Sequence, residues 1–190
     1  MLIAAREVDP KELKEARDWV NQKLMYTHGY GVCVVPVNEF QKENSNPNFW
    51  VKGIPANSTY RELDLKRPQI YYGELTKDYV IVNTKREEID PEAEQYNGVS
   101  GVKLGGWFRR LCFATRFDFW RVLLSTDLTP ESKVLFWRKI GTRMPDSAKT
   151  VTDRISHIAP FLKYDPDPYI VIADGQLWWM VDVYVTSRSY

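Results

Sequence analysis

Residues 169–185 constrain the fold more than any other stretch of the chain. Tyr169-Ile170-Val171-Ile172-Ala173 is rich in β-branched and apolar side chains, and Asp174-Gly175 is a dipeptide suited to a type I′ turn. Residues 176–185 then return. On that return Leu177, Trp179, Val181, Val183 and Val185 alternate with Trp178, Met180, Asp182 and Tyr184. The alternation predicts a β-hairpin with the first set on the core face and the second, which holds the acid, on the wetter face.

Upstream, Asp9-Pro10-Lys11-Glu12 combines an N-cap acid, a proline at the first helical position and a glutamate three residues after the cap. Leu13, Ala16, Val20 and Leu24 recur at helical spacing, so a helix is predicted from Asp9 to about Tyr26, before the glycines at 29 and 31. The apolar run 32–37 predicts a strand buried on both faces, with Pro36 at its end. Residues 38–68 are polar, carry prolines at 47, 55 and 68, and predict a long excursion. Short strands are expected at 70–72 and 79–82, and a loop over 84–103.

Helical patterning resumes at Leu104. Trp107, Phe108, Leu111, Cys112 and Thr115 share one face, with Arg109 and Arg110 on the other, and a further helical unit spans about 119–124. Thr129-Pro130-Glu131 has the form of a helix start leading into Val134, Leu135, Trp137, Arg138 and Ile140. A last helix carries Val151, Ile155, Ile158 and Ala159 and is ended by Pro160. The order of helix, strands, helices and hairpin gives an α+β fold: a mixed or antiparallel sheet packed with four or five helices, in a single soluble domain over 1–190.

The totals narrow the function. A chain of 190 residues buries roughly 70% of its unfolded surface and needs no covalent staple. Lys plus Arg is 26 and Asp plus Glu is 25, so there is no basic excess for nucleic acid. No polybasic tract suits an anionic lipid surface, and no stretch approaches the roughly 20 apolar residues of a membrane span. Seven Trp and eleven Tyr are expected in the core and at interfaces, the alternative being stacking platforms for sugars or peptides. Cys33 and Cys112 sit in apolar runs and read as small buried hydrophobes, although spacing alone leaves a bridge between them open.

Candidate chemistry is sparse. His28, in Tyr26-Thr27-His28-Gly29-Tyr30-Gly31, has a pKa suited to proton transfer, yet the same string is what a helix C-terminus looks like. Capping is its expected role. Glu74 could pair with Asp165, Asp167 or Asp174 for glycosidic hydrolysis, though acids in turns usually bond to nearby amides. Asp165-Pro166-Asp167-Pro168 spaces two acids as a cation site would, but the prolines mark a stiff linker and the rest of a calcium loop is missing. His157 reads as a helical surface residue. Phosphate-loop, dinucleotide, nucleophile-elbow and zinc-protease motifs are all absent. No cofactor or metal is expected.

Several strings taken together resemble one family. They are residues 4–9, Trp19-Val20-Asn21, residues 26–31, Pro36-Val37-Asn38-Glu39, residues 67–74 and 78–84, Thr129-Pro130-Glu131-Ser132, residues 158–162 and residues 165–169. In order and spacing they are similar to the bacterial uncharacterised protein family 0182 over essentially the whole chain. Gln69 stands where that pattern leads to an acid, and residues 142–150 match it poorly. The resemblance implies large integral membrane proteins with several N-terminal spans and a long soluble region. On that reading this chain is the start of the soluble region, and Met1 is a point of excision. It implies no reaction and carries over no site residue. The expectation is an extracytoplasmic binding or scaffolding module, not an enzyme, that meets other parts of its own chain, protein, peptide or glycan. A membrane enters only through spans outside this segment. The alternative is a fragment of a cell-envelope hydrolase whose cleft uses His28, Glu74 and the acids at 165–174.

Overall fold

The computed structural model describes residues 1–9, 12, 14, 18–40, 46–75, 78–89, 95–136 and 151–185. Its first six strands are β1 (Leu2–Ala5), β2 (Gly29–Tyr30), β3 (Val32–Val35), β4 (Val51–Lys52), β5 (Asn57–Ser58) and β6 (Gln69–Ile70). β7 (Val80–Val82), β8 (Val102–Lys103), helices α1 (Trp107–Arg116) and α2 (Phe119–Leu124), and β9 (Lys133–Leu135) follow. The last elements are α3 (Val151–Ile158), β10 (Lys163–Tyr164), β11 (Tyr169–Ala173), β12 (Gln176–Met180) and β13 (Val183–Tyr184). Every described strand pair is antiparallel, which places the chain in the α+β class. The residues form two compact units, one of 1–8, 28–77 and 143–190, the other of 9–27 and 78–142.

The first unit is built on a sheet of order β1-β3-β4-β5, with separate β2-β6, β10-β13 and β11-β12 pairs. Val32, Val34, Val51, Ile70 and Ile170 form its buried centre, joined by Ile3, Leu65, Leu177 and Trp179. The predicted hairpin is present. Ala173 faces Gln176 across Asp174 (φ 55°) and Gly175 (φ 76°), the pair of positive φ angles a type I′ turn requires. Its return strand is shorter than the alternation suggested. β12 ends at Met180, and after a break at Val181 and Asp182 the chain pairs afresh as β13 with β10. Leu177 and Trp179 point inward as expected, whereas Val183 and Val185 are exposed, because the break ends the period that would have carried them to the core.

Two further expectations change here. β3 alternates, with Val32 and Val34 buried and Cys33 and Val35 half-buried, so it is covered on one face and not two. The excursion over 38–68 is partly regular: β4 and β5 extend the sheet through Val51, which pairs with Val34 and with Ser58.

In the second unit β9 lies between β7 and β8. Its core joins Trp19, Leu24, Tyr79, Ile81, Leu104, Val122 and Val134, with Phe113, Phe117 and Phe136 against it. The helix stops at Met25, before Tyr26, as expected, but it starts at Trp19 after a bend at Asp18 and so does not run unbroken from Asp9; Pro10, Lys11, Leu13 and Ala16 lie outside the described residues. Its last turn, Asn21–Met25, is a π-turn closed by Tyr26 N–H donating to Asn21 O at 2.8 Å. The wider turn sends Lys23 inward, where Nζ meets Asp78 at 2.7 Å and sits 4.6 Å from the centre of the Tyr79 ring. Beside it Trp19 Nε1–H donates to Tyr79 Oη (2.9 Å) and Asp118 Oδ2 (3.1 Å), and Tyr79 O–H donates to the same carboxylate oxygen. Burial, and then the bond to Asp118, push the Tyr79 phenol far up, so it remains a donor.

The helix expected after Thr129 is instead a turn and a strand. Ser132 N–H donates to Thr129 O, and the buried Ser132 hydroxyl donates to Asn83 O at 2.9 Å, which delivers Lys133–Leu135 into the centre of the sheet. A cap-like triplet opens a β-turn equally well, and pairing on both edges decided the outcome. Trp137, Arg138 and Ile140 lie outside the described residues.

α1 faces the opposite way from its apolar stripe. Ala114 is buried, and Arg110, Phe113 and Phe117 turn inward with it, while Trp107, Phe108, Cys112 and Thr115 are exposed. Arg110 Nε–H donates to Val122 O at 2.8 Å and an NH2 hydrogen bonds Ser125 O, so the guanidinium holds the last carbonyls of α2. Both cysteines are free; Cys33 is half-buried and Cys112 exposed, which corrects the expectation that both are buried.

Candidate functional site

In the first unit one cleft of about 430 Å³ gathers polar and aromatic groups. It is lined by Ile3, Ala5 and Glu7 along the first strand and its exit, Glu74 and Leu75 in a turn, Asp167 and Tyr169 at the entry to β11, and Trp179 on β12. The order follows from strand geometry. Ile3, Ala5 and Glu7 are successive alternate positions of an extended chain and so share a face. Ile170 is directly opposite Trp179 in the hairpin. Trp179 is fixed by its indole N–H, which donates to Tyr72 O at 2.9 Å.

Glu7 is held by backbone. Its Oε1 accepts Glu74 N–H at 2.9 Å and its Oε2 accepts Leu75 N–H at 2.8 Å. Glycine at 73 leaves the room the carboxylate occupies, since a Cβ there would lie 1.8 Å from Glu7 Oε2. Arg154 lies within the field of Glu7, with its guanidinium carbon 5.6 Å from the centre of the Tyr72 ring. Burial pulls Arg154 down to about 10, against the opposing pull of Tyr72 and Glu7.

Glu74 has a different environment. Burial, then Glu7, then Asp167 raise its carboxyl above the ordinary carboxylate range. Among the described residues neither Glu74 nor Asp167 belongs to an ion pair. The cleft therefore holds three carboxylates: Glu7, secured by amides, and Glu74 and Asp167, which make no ion pair among the described residues.

Of the residues singled out in the sequence, Glu74 and Asp167 meet in this cleft and the others do not. Asp165 is used locally: its Oδ1 accepts Asp167 N–H at 3.0 Å, and its own N–H donates to Asp182 O at 2.9 Å. Asp174 occupies the hairpin turn. His28 is buried between Tyr30 and Tyr71, its ring centre 5.8 and 5.1 Å from theirs, and Nδ1 donates to Gly29 O at 2.9 Å. The expected capping arrangement is absent, since Gly29 is an extended strand residue and the left-handed glycine is Gly31 (φ 76°). His157 is exposed, with Nδ1 2.7 Å from Asp153 O. Among the described residues no group of three or more His, Cys, Asp or Glu is placed to hold a metal ion. Sequence reasoning missed Glu7, Tyr169 and Trp179 as cleft residues. The signal for Glu7 was its alternation with Ile3 and Ala5.

The pattern that defines the Uncharacterised protein family (UPF0182) matches residues 1–190. The chain belongs to that family. It is 43% identical over 198 residues to a UPF0182 protein of Desulforamulus reducens, which covers 100% of this chain and 20% of that protein. A UPF0182 protein of Pelotomaculum thermopropionicum is 41% identical over 197 residues, with the same coverage. One from Methanospirillum hungatei is 42% identical over 195 residues, covering 99% of this chain and 20% of the relative. The chain thus spans about a fifth of the length of these relatives. No solved structure matches it. Among the described residues no helix is long and apolar enough to cross a membrane.

Proposed function

We propose that this segment is a binding module, the extracytoplasmic part of a longer membrane protein, and that its cleft takes a cationic side chain of a peptide or protein segment. The observation that carries the reading is the gathering of three acids, Glu7, Glu74 and Asp167, along one cleft, which together with burial raises the Glu74 carboxyl. Two acids repel one another in a partly desolvated cleft, and a cation placed between them relieves that cost. Tyr169 and Trp179 supply aromatic walls against which an ammonium or guanidinium group packs. The peptide could belong to another protein or to the larger part of its own chain, of which this segment is about a fifth in the relatives.

Catalysis is the second reading, favoured by the meeting of Glu74 and Asp167 in one cleft. Two carboxylates suffice for that chemistry, one as acid and one as nucleophile or base, whereas His28, the other residue of the hydrolase reading, is not among the lining residues. Titration of the 190-residue chain with a Lys- and Arg-containing peptide, followed by Trp fluorescence, separates the readings. Binding should weaken at least tenfold in Glu74→Gln with Asp167→Asn and fall with added salt. Peptide affinity untouched by the double substitution, or oligosaccharide turnover abolished by it, would refute the binding reading.

A further inference from the structure

Ile3 and Ala5 border the cleft with more than their side chains. Arg6 N–H donates to Gly31 O and Arg6 O accepts Tyr30 N–H, both at 2.8 Å, so the polar backbone of Arg6 faces into the sheet. Val34, which stands opposite Ile3, turns its carbonyl the other way, accepting Trp50 N–H at 2.8 Å on the β4 side. Backbone N–H and C=O groups reverse direction at each residue of a strand. Both observations give the same phase: Ile3 and Ala5 direct their N–H and C=O groups to the outer edge of β1. β3 is the one neighbour of β1 in the sheet, and among the described residues no strand pairs with that outer edge. Ile3, Ala5 and Glu7 also line the cleft, so the open edge and the three acids border one space.

An open strand edge is a template for polypeptide. Leu2–Ala5 carries neither charge nor proline to discourage pairing, whereas the opposite edge, β5, is the two polar residues Asn57–Ser58. A strand laid antiparallel on β1 sets the side chains opposite Ile3 and Ala5 on the same face as theirs, and so into the cleft beside Glu7, Glu74 and Asp167. A second copy would offer Met1–Ala5, which holds no Lys or Arg to answer those acids. Two edge residues and a few charges grip a free partner weakly, but a segment tethered in the same protein, at roughly millimolar effective concentration, fills such a site. The chain spans about a fifth of its relatives, which leaves the greater part of the protein as the source. We infer, on the peptide-binding reading of the cleft, that β1 receives an added antiparallel strand from elsewhere in the same protein, whose lysine or arginine side chains enter the cleft.

The test is an NMR titration of the 190-residue chain with a blocked hexapeptide in which valine and lysine alternate. Binding should shift the Ile3 and Ala5 amide signals and slow their hydrogen exchange at least tenfold. N-methylation of the peptide's lysine amides, which face β1, should weaken binding at least tenfold, while N-methylation of its valine amides, which face away, should leave it unchanged. In the whole protein the Ile3 and Ala5 amides should already exchange at least tenfold slower than in the 190-residue chain, and the hexapeptide should not bind. Equal effects of the two methylations overturn the added strand; if Glu74→Gln with Asp167→Asn still weakens binding, the cationic cleft stands without it. Absence of hexapeptide binding to the 190-residue chain overturns both. Ile3 and Ala5 amides that exchange as fast in the whole protein as in the 190-residue chain overturn the internal source. Protection that instead rises with the concentration of the 190-residue chain identifies a second copy and overturns it too.

Discussion

Gly73→Ala measures how firmly the turn over residues 73–75 holds Glu7. A Cβ at position 73 would stand 1.8 Å from Glu7 Oε2 and 2.1 Å from Cδ, well inside any tolerable contact. The carboxylate must withdraw, and both amide bonds, at 2.9 and 2.8 Å, are lost. Hydrogen bonds to a charged group contribute about 1.5–3 kcal/mol each. The turn is open to water on one side and the evicted carboxylate regains hydration, so the lower end applies and the expected loss is about 2–3 kcal/mol. Glu7→Gln keeps the shape but leaves one acceptor oxygen for two amides, and should cost about 1–2 kcal/mol. Because both substitutions act on one interaction, the double variant should be little worse than Gly73→Ala alone, giving a coupling of about 1–2 kcal/mol. Urea unfolding gives the energies. Hydrogen exchange gives the location: the amides of Glu74 and Leu75 should exchange at least tenfold faster in Gly73→Ala while those of β3 are unchanged. Strictly additive costs, or unaltered exchange at 74 and 75, would mean that the carboxylate is not held by this turn.

Glu74 makes stability depend on pH in a defined sense. Its folded pKa exceeds the ordinary 4.5, so the native state holds the proton more tightly than the unfolded chain; stability should fall as pH rises from about 4.5 through the raised value, then level off. Glu7→Gln removes one cause of the shift, and NMR titration of the Glu74 side chain should show its midpoint moving down. Arg110→Ala strips the carbonyls of Val122 and Ser125 of their donor and should destabilise by about 2–3 kcal/mol in urea, whereas Arg109→Ala should change stability by less than about 0.5 kcal/mol. Asp118→Asn replaces a charged acceptor shared by Tyr79 and Trp19, and thermal unfolding should report a loss of about 1.5–3 kcal/mol; no change would mean that this network is not satisfied by the carboxylate.

The parts of this fold that a sequence reader can see are those decided by neighbours in the chain. The Asp174-Gly175 turn needs φ > 0 twice and is chosen by the residues themselves, and the stop at Tyr26 precedes two glycines. The parts that escape are decided by partners far away. Thr129-Pro130-Glu131 is as good a helix start as a turn; only the edges of β7 and β8, about 50 and 30 residues upstream, make Lys133–Leu135 a strand. The cleft divides in the same way. Glu74 and Asp167 stand out as acids flanked by Gly and Pro, but their meeting depends on how β11 lies beside β1. His28 attracted attention for its chemistry, and the structure sets it, buried, beside the rings of Tyr30 and Tyr71 and away from the cleft lining.

The orientation of α1 follows from what its inner side is asked to touch. A helix with two apolar sides can bury either. Ala114 permits close approach to the core, Phe113 and Phe117 join Phe136 and Tyr79 in ring contacts, and Arg110 satisfies two carbonyls of α2. Trp107, Phe108 and Cys112 offer area but no such partners, and two indole or phenyl rings facing inward would exceed the space that Ala114 fills. Leaving Trp107, Phe108, Trp120 and Leu124 outside forgoes about 1.5–3 kcal/mol each, or roughly 6–12 kcal/mol together, by the usual value of burying a large apolar side chain. The exposure is not peculiar to these two helices, since Phe40, Ile158 and Phe161 are 62%, 82% and 80% exposed in a chain that spans about a fifth of the length of its relatives.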